Sequence, residues 1–300
     1  MKKIKLLLTV LALASITTVF GQQDTQYTQY MYNMNVLNPA YAGSKGITSI
    51  GLLGRTQWVG VDGAPQTVTM SIHSPIGNQV GLGFSVIHDE IGPVKEDNVY
   101  VDFSYTINTS EEGRLAFGLK GGVTFLDVRD LITVDPDPLN VPIHQTSPNF
   151  GAGVYYYTNK FYLGVSAPNF LETRHLENDG GQTTSAREQM HYFLTSGYVF
   201  DVNDNIKLKP STMVKATSGV PLSVDLSLNM LVENRFEFGL SYRFDDSISG
   251  LVGFNVNEDF RIGYAYDHTV SSYGQFNSGS HEIMLLFDFN RKNIKSPRFF

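Results

Sequence analysis

The chain has 300 residues, no cysteine and a formal charge of −7. Without cysteine there is no disulfide framework, no thiol nucleophile and no lipid-modified cysteine anchor. The acidic balance, with no basic run before 291–298, disfavours nucleic acid as a partner. Sixteen Tyr, twenty Phe and 28 Gly against a single Trp point to an all-β protein built from aromatic and glycine-bearing strands.

Residues 1–21 read as a secretory signal. Lys2, Lys3 and Lys5 form a positive start, 6–20 is apolar, and Val19 and Gly21 are small residues at the −3 and −1 positions. A membrane anchor is the competing reading, but the stretch is short for a spanning helix. Removing the three lysines takes the charge from −7 to −10. Residues 22–46 are polar and Tyr-rich without a clear period, an extension into the periplasm or a plug in a barrel mouth.

Fourteen strand-like segments follow, at 47–58, 65–74, 79–88, 97–108, 114–126, 149–157, 161–167, 189–200, 205–214, 222–232, 235–244, 248–256, 259–268 and 280–289. Most alternate cleanly. In 221–232, Leu222, Val224, Leu226, Leu228 and Met230 oppose Ser223, Asp225, Ser227 and Asn229, the period of a strand with one apolar face. The phase of 161–167 and 189–200 is ambiguous. A basic tail, 290–300, closes the chain.

Alternation alone fits a soluble sandwich or a membrane barrel. Three features select the barrel. Charged residues within the segments, among them Asp102, Lys120, Lys209, Asp225, Glu237, Arg243, Arg261 and Glu282, fall on the polar phase, as a lipid-facing wall requires. Many segments reach ten residues, the length of a tilted transmembrane strand rather than a sandwich strand. Links sort by parity: every even-to-odd link is short, and the long ones, 127–148, 168–188 and 269–279, all fall on the other side. The expected fold is therefore a transmembrane antiparallel outer-membrane β-barrel of about fourteen strands over 47–289. Its short turns and both termini are expected to be periplasmic.

No pattern resembles an active site. The seven His are scattered, there is no HExxH and no GxSxG, so the chain is read as a non-enzyme without cofactor or metal. Asp135 and Asp137 lie in a Pro-rich loop and lack the remaining oxygen ligands of a calcium site. Gly81-Leu82-Gly83 and 118–122 sit inside strands, where glycine suits curvature or close approach of an inserted segment rather than a phosphate loop. Arg55 and Trp58 flank the first external turn, as a partner-contact or plug-contact cluster or as an interfacial Trp beside a turn. Inward charges of both signs, including Asp102, Arg243 and Arg261, suit a plugged interior or one that accepts a polypeptide. A simply solvated lumen is the alternative.

The sequence also resembles the PorP/SprF family of outer-membrane proteins linked to the type IX secretion system. The resemblance is carried by Gln26-Tyr27-Thr28-Gln29-Tyr30-Met31 with Asn38-Pro39-Ala40-Tyr41-Ala42-Gly43, by Arg55-Thr56-Gln57-Trp58-Val59-Gly60 with Gly63-Ala64-Pro65-Gln66-Thr67, by Asp89-Glu90-Ile91-Gly92-Pro93, and by the last strand from His281-Glu282-Ile283. It implies partnership with type IX secretion components and with a secreted surface protein carrying a C-terminal sorting domain, such as a gliding adhesin. The Asn38-Pro39-Ala40 element is similar to the N-terminal hatch of FadL-like barrels, which implies a plugged lumen. The partner-binding or plug residues expected from pattern and resemblance together are Asn38, Pro39, Ala40, Arg55, Trp58, Asp102, Arg243 and Arg261. The function so implied is secretion or surface anchoring of a protein. The alternatives are a passive or substrate-specific channel for small solutes and a soluble secreted sandwich adhesin.

Overall fold

The computed structural model describes residues 26–129, 142–171, 174–175, 186–187 and 190–289. The signal 1–21, the tail 290–300 and the Asp135/Asp137 loop lie outside the described residues. Fourteen antiparallel strands form the wall: β1 (Ser49–Thr56), β2 (Gln66–Ile76), β3 (Val80–Ile91), β4 (Val94–Asn108), β5 (Arg114–Val128), β6 (Ile143–Tyr157), β7 (Phe161–Ala167), β8 (His191–Tyr198, resuming as Phe200–Asn203), β9 (Ile206–Thr217), β10 (Val220–Val232), β11 (Phe236–Arg243), β12 (Ser247–Asn255), β13 (Phe260–Thr269) and β14 (Ser280–Asp288). Each pairs with its neighbours in sequence. Closure comes from β1 against β14, in register from Ser49↔Asp288 to Thr56↔His281. A closed wall leaves no strand edge unpaired in hydrocarbon, the condition for crossing a membrane with strands. No helix among the described residues is long and apolar enough to cross one.

The alternation places its apolar phase outward. Leu240, Leu119, Leu222, Val101 and Leu228 are 50–69% exposed, while Asp225, Ser227 and Asn229, interleaved with Leu226 and Leu228, are buried. The two ambiguous segments also resolve. Tyr162, Gly164 and Ser166 of β7 and His191, Phe193, Thr195 and Gly197 of β8 point inward. The ambiguity has a physical cause: inward positions here include Tyr162 and Phe193, apolar because they pack on something other than water. β8 is interrupted at Val199 opposite Lys209 and Pro210; the register is kept across the interruption and shifts only further on, between Asp201 and Asn203. Proline offers no N–H to the ladder at that point.

The wall has two unlike rims. One, the turn rim, carries only short links: 77–79, 109–113, 158–160, 204–205, 233–235 and 256–259. The other, the loop rim, carries the long ones, 57–65, 129–142, 168–190 and 270–279. Three links on the loop rim are nonetheless tight. β3 and β4 run on to Ile91↔Val94, so the expected gap between them closes to a two-residue turn. Likewise β5 and β6 extend to Val128↔Ile143, shortening the expected 127–148 link. Strand length varies around the wall: β4, β5 and β6 have 15 residues each and β11 has 8.

Residues 26–48 run inside the barrel. Gln26 and Tyr27 share a small cavity with Lys215, Asp225 and Arg243, in the loop-rim half. The segment then descends through Tyr30, Asn35 and Asn38 to Lys45, whose Nζ lies 2.8 Å from Asp288 Oδ1 at the turn rim, before entering β1. Among the described residues, the first, Gln26, sits toward the loop rim and the last, Phe289, at the turn rim, bonded to Thr48.

Candidate functional site in the lumen and at the loop rim

The inner segment is a run of short turns whose backbone N–H groups bond largely within the segment, while Thr28 N, Gln29 N and Gly43 N reach the wall. A 3₁₀ turn at Tyr30–Tyr32 and one helical turn at Met34–Leu37 precede a second 3₁₀ turn at Pro39–Tyr41. Asn38 organises the last of these. Its Oδ1 accepts from Ala40 N at 2.9 Å and its Nδ2 donates to Val154 O of β6 at 3.1 Å. Pro39 at the first position of the turn needs no N–H there. Ala40 lies so close to β5 that a Cβ on Gly118 would overlap Ala40 N, and one on Gly81 of β3 would overlap Ala42 O. The in-strand glycines thus admit a backbone against the wall, as their position suggested. Tyr41 packs edge-on against Tyr155 and His73, with ring centroids 5.5 and 5.3 Å apart.

Four wall carboxylates hold this segment, and each also meets a wall cation. Glu282 accepts from Thr28 N at 2.9 Å and Gln29 N at 2.7 Å, with Arg55 Nη1 at 3.1 Å. Asp267 accepts from Thr28 Oγ1 at 2.7 Å and lies 2.7 Å from the same Nη1. Asp102 meets Lys120 Nζ at 2.8 Å and accepts from Asn35 Nδ2 at 3.1 Å. Glu237 accepts from the Tyr32 hydroxyl and from Asn229 Nδ2 at 2.6 Å, with Arg261 Nη1 at 3.4 Å. Tyr32 is also flanked by Arg261 and Lys209, 5.3 and 5.4 Å from its ring centroid. Such bonds are charge-assisted, and low dielectric strengthens them. At the turn rim, the exposed Lys160 ammonium is held above its ordinary range by the hydrogen bond and charge of Asp201.

The eight residues singled out from the sequence do not form one cluster. Asn38, Pro39 and Ala40 sit together against β5 and β6. Arg55 holds the start of the inner segment and Arg261 its middle. Asp102 lies on β4, beside the stretch of β5 that Ala40 touches. Arg243 makes a two-pronged pair with Asp225, at 2.6 and 3.1 Å, and meets Asp246 at the loop rim. Trp58 is outside the lumen, stacked on Tyr273 at 5.8 Å and 7°. Sequence reasoning passed over Thr28, Tyr32, Asn35, Lys120, Glu237, Asp267 and Glu282. Lys120 had a signal, since the inward phases of consecutive strands place it opposite Asp102. Thr28 and Asn35 had none, because an unpatterned segment has no predictable partners.

The loop rim around Trp58 is tied together. Val59 N donates to Gly279 O at 2.9 Å, Ser278 N to Val59 O at 2.8 Å, Trp58 N to Ser280 Oγ at 3.2 Å, and Gly92 N to Gly63 O at 2.9 Å. These bonds join loops 57–65 and 270–279 to the β3–β4 turn. Trp58 is held at φ 45, a left-handed backbone that bulky residues rarely adopt. Tyr273 and Phe276 beside it are 62% and 68% exposed.

Comparison with known proteins fits this architecture. The fold is similar over 85% of the chain, at 12% identity and a TM-score of 0.51, to that of the CymD monoaromatic hydrocarbon channel, 92% of which is covered. It also aligns with a Pseudomonas aeruginosa FadL homologue (14% identity, TM-score 0.46, 90% of this chain and 96% of that one) and with the Acinetobacter baumannii outer membrane protein Omp33 (9%, 0.48, 81% and 99%). No curated protein matches the chain. The sequence profile of the type IX secretion system membrane protein PorP/SprF matches residues 19–287. The chain belongs to the PorP/SprF family of type IX secretion system membrane proteins, and it is an outer-membrane β-barrel.

Proposed function

We propose that this barrel recognises a secreted protein at the outer membrane and helps to secrete it or hold it at the cell surface, with the turn rim in the periplasm and the loop rim outside. The partner would be a surface protein carrying a C-terminal sorting domain, together with other components of the secretion system. The observation that carries the reading is the division of labour between lumen and rim. The lumen is crossed by residues 26–48, bonded to the wall along its length, which disfavours free diffusion of solutes through the resting barrel. The loop rim, by contrast, is cross-bonded and presents Trp58, Tyr273 and Phe276, and aromatic residues on a rigid support are favoured at protein interfaces. The role is recognition, not catalysis: the inward charged groups are engaged in structural pairs. Among the described residues, no group of three or more His, Cys, Asp or Glu is arranged to hold a metal ion.

Mild detergent extraction from the native membrane, followed by purification and mass spectrometry, tests this. A sorting-domain protein or a secretion component should co-purify in amounts comparable to the barrel. Recovery of the barrel alone, under conditions that keep other outer-membrane complexes together, would overturn the proposal.

A further inference from the structure

The charge distribution of the lumen separates the wall from the segment inside it. Residues 26–44 contain no Asp, Glu, Lys or Arg. Every buried charge on a strand belongs to the wall. The buried wall cations are Arg55, Lys120, Lys209, Lys215, Arg243 and Arg261. The buried wall carboxylates are Asp102, Asp225, Glu237, Asp267, Glu282 and Asp288. Six face six. Several of these pairs are direct neighbours across adjacent strands: Asp102↔Lys120, Asp225↔Arg243 and Arg55↔Glu282.

We infer that residues 26–44 are a releasable plug, and that the wall behind them, with Lys45, is a complete pore in which every buried carboxylate keeps a cation. The reasoning is energetic. Removing one member of a buried ion pair strands the other and is strongly unfavourable. Release takes from Arg55 its bond to Thr28 Oγ1 and from Lys209 and Arg261 the Tyr32 ring, but it takes no cation from a carboxylate. Glu282, Asp267, Asp102 and Glu237 each bond the segment through neutral donors and keep Arg55, Lys120 or Arg261 when those donors leave. Water entering the vacated lumen takes over these charge-assisted bonds, so their loss leaves no carboxylate without donors and no buried charge stranded. Lys45 stays behind as a clasp: its ammonium bonds Asp288 and Ser49 at the turn rim.

That clasp also sets the direction of exit. The segment joins β1 at the turn rim, so leaving through the loop rim would keep the chain threaded along the lumen. Only withdrawal through the turn rim clears it. The released pore would pass small hydrated solutes of either charge, because a lining of paired charges has no single-sign ring to select between them. This device is independent of the partner proposed above: a closed, unreleasable plug would leave rim binding intact.

The test is single-channel recording of the full chain in planar bilayers. The double variant Thr28→Val/Asn35→Leu weakens the plug and leaves the wall untouched. Its open fraction should exceed that of the unaltered protein by roughly a hundredfold, from the loss of two bonds to charged acceptors, with nearly equal permeability to potassium and chloride. Adding Leu37→Cys and Ser166→Cys to that variant supplies its only cysteines, at positions where Ser166 Oγ donates to Leu37 O at 2.7 Å. Oxidation should abolish the openings and a reductant restore them. Openings that ignore the disulfide, or that strongly prefer one ion, overturn the inference. A second measurement needs no weakened plug. Leu37→Cys alone should react with a polar maleimide at urea concentrations well below those that unfold the barrel. Labelling that begins only when the barrel unfolds overturns the inference as well.

Discussion

Lys120 and Asp102 stand opposite each other on β5 and β4, Nζ 2.8 Å from Oδ1, both side chains wholly removed from solvent. The Lys120 ammonium also lies 4.8 Å from the Tyr100 ring centroid. The pair is thus a fixed element of the inner wall. Asp102→Asn would leave Lys120 buried without its counter-charge, at a cost of about 3–5 kcal/mol, whereas Lys120→Met/Asp102→Leu should recover most of that loss. Equilibrium unfolding of the folded barrel by urea in lipid vesicles reads the difference. Equal stability for the single and double variants would show that the pair is not coupled.

Gly118 has Ala40 N where its own Cβ would be. Gly118→Val should therefore push the inner segment off β5, at a cost of about 1–3 kcal/mol typical of overpacking, with the wall retained. Chymotrypsin digestion of the folded protein in micelles checks this. New cleavage within 26–44, next to a protected barrel, is the expected pattern. An unchanged digest would mean that the segment accommodates the added methyls in place.

Leu228 and Leu222 share the outward face of β10, near its centre and near its loop-rim end, at 50% and 64% exposure. Leu228→Arg should destabilise the barrel in a bilayer by about 2–4 kcal/mol, and Leu222→Arg by only about 0–1 kcal/mol. Unfolding in vesicles gives both values. A cost independent of position would contradict the membrane depth assigned to this strand.

Trp58 combines an unfavourable backbone with an aromatic stack. Trp58→Ala and Trp58→Gly both remove the stack on Tyr273, but glycine accepts φ 45 freely. The glycine variant should be the more stable of the two by up to about 1 kcal/mol. Both should lower recovery of the secreted partner with the barrel. Undiminished recovery would remove Trp58 from the proposed interface.

The wall was legible from the sequence and its contents were not, for one physical reason. Charge on the lipid face costs most at mid-membrane, so the outward phase stays apolar and Leu222, Leu226 and Leu228 announce their face whatever lies inside. An inward position answers to its particular neighbour. Tyr162 and Phe193 are apolar because they meet the inner segment, and this blurred the phase of β7 and β8. Loop lengths sorted correctly by rim, yet the extent of β3, β4, β5 and β6 was underestimated. Polar residues such as Lys95, Glu96, His144 and Gln145 continue a strand once it clears the apolar band, so only Gly92-Pro93 remain as the β3–β4 turn. Of the residues singled out in advance, Asn38 and Arg55 carry contacts that fix the inner segment. Their partners Val154, Thr28, Asp267 and Glu282 are 27 to more than 200 positions away and no local pattern names them.

The unequal strand lengths have a consequence for assembly. β4, β5 and β6 are seven residues longer than β11. At about 3.3 Å per residue along a strand, one side of the wall outreaches the other by roughly 20 Å before tilt is counted. An even cylinder would look the same from every azimuth in the plane of the membrane. This one has a tall side and a low side, and Trp58 and Tyr273 lie on links from the shorter strands β1, β13 and β14. For the partner proposed above, the way to Trp58 and Tyr273 is over these shorter strands, so the wall itself would set the bearing from which it docks.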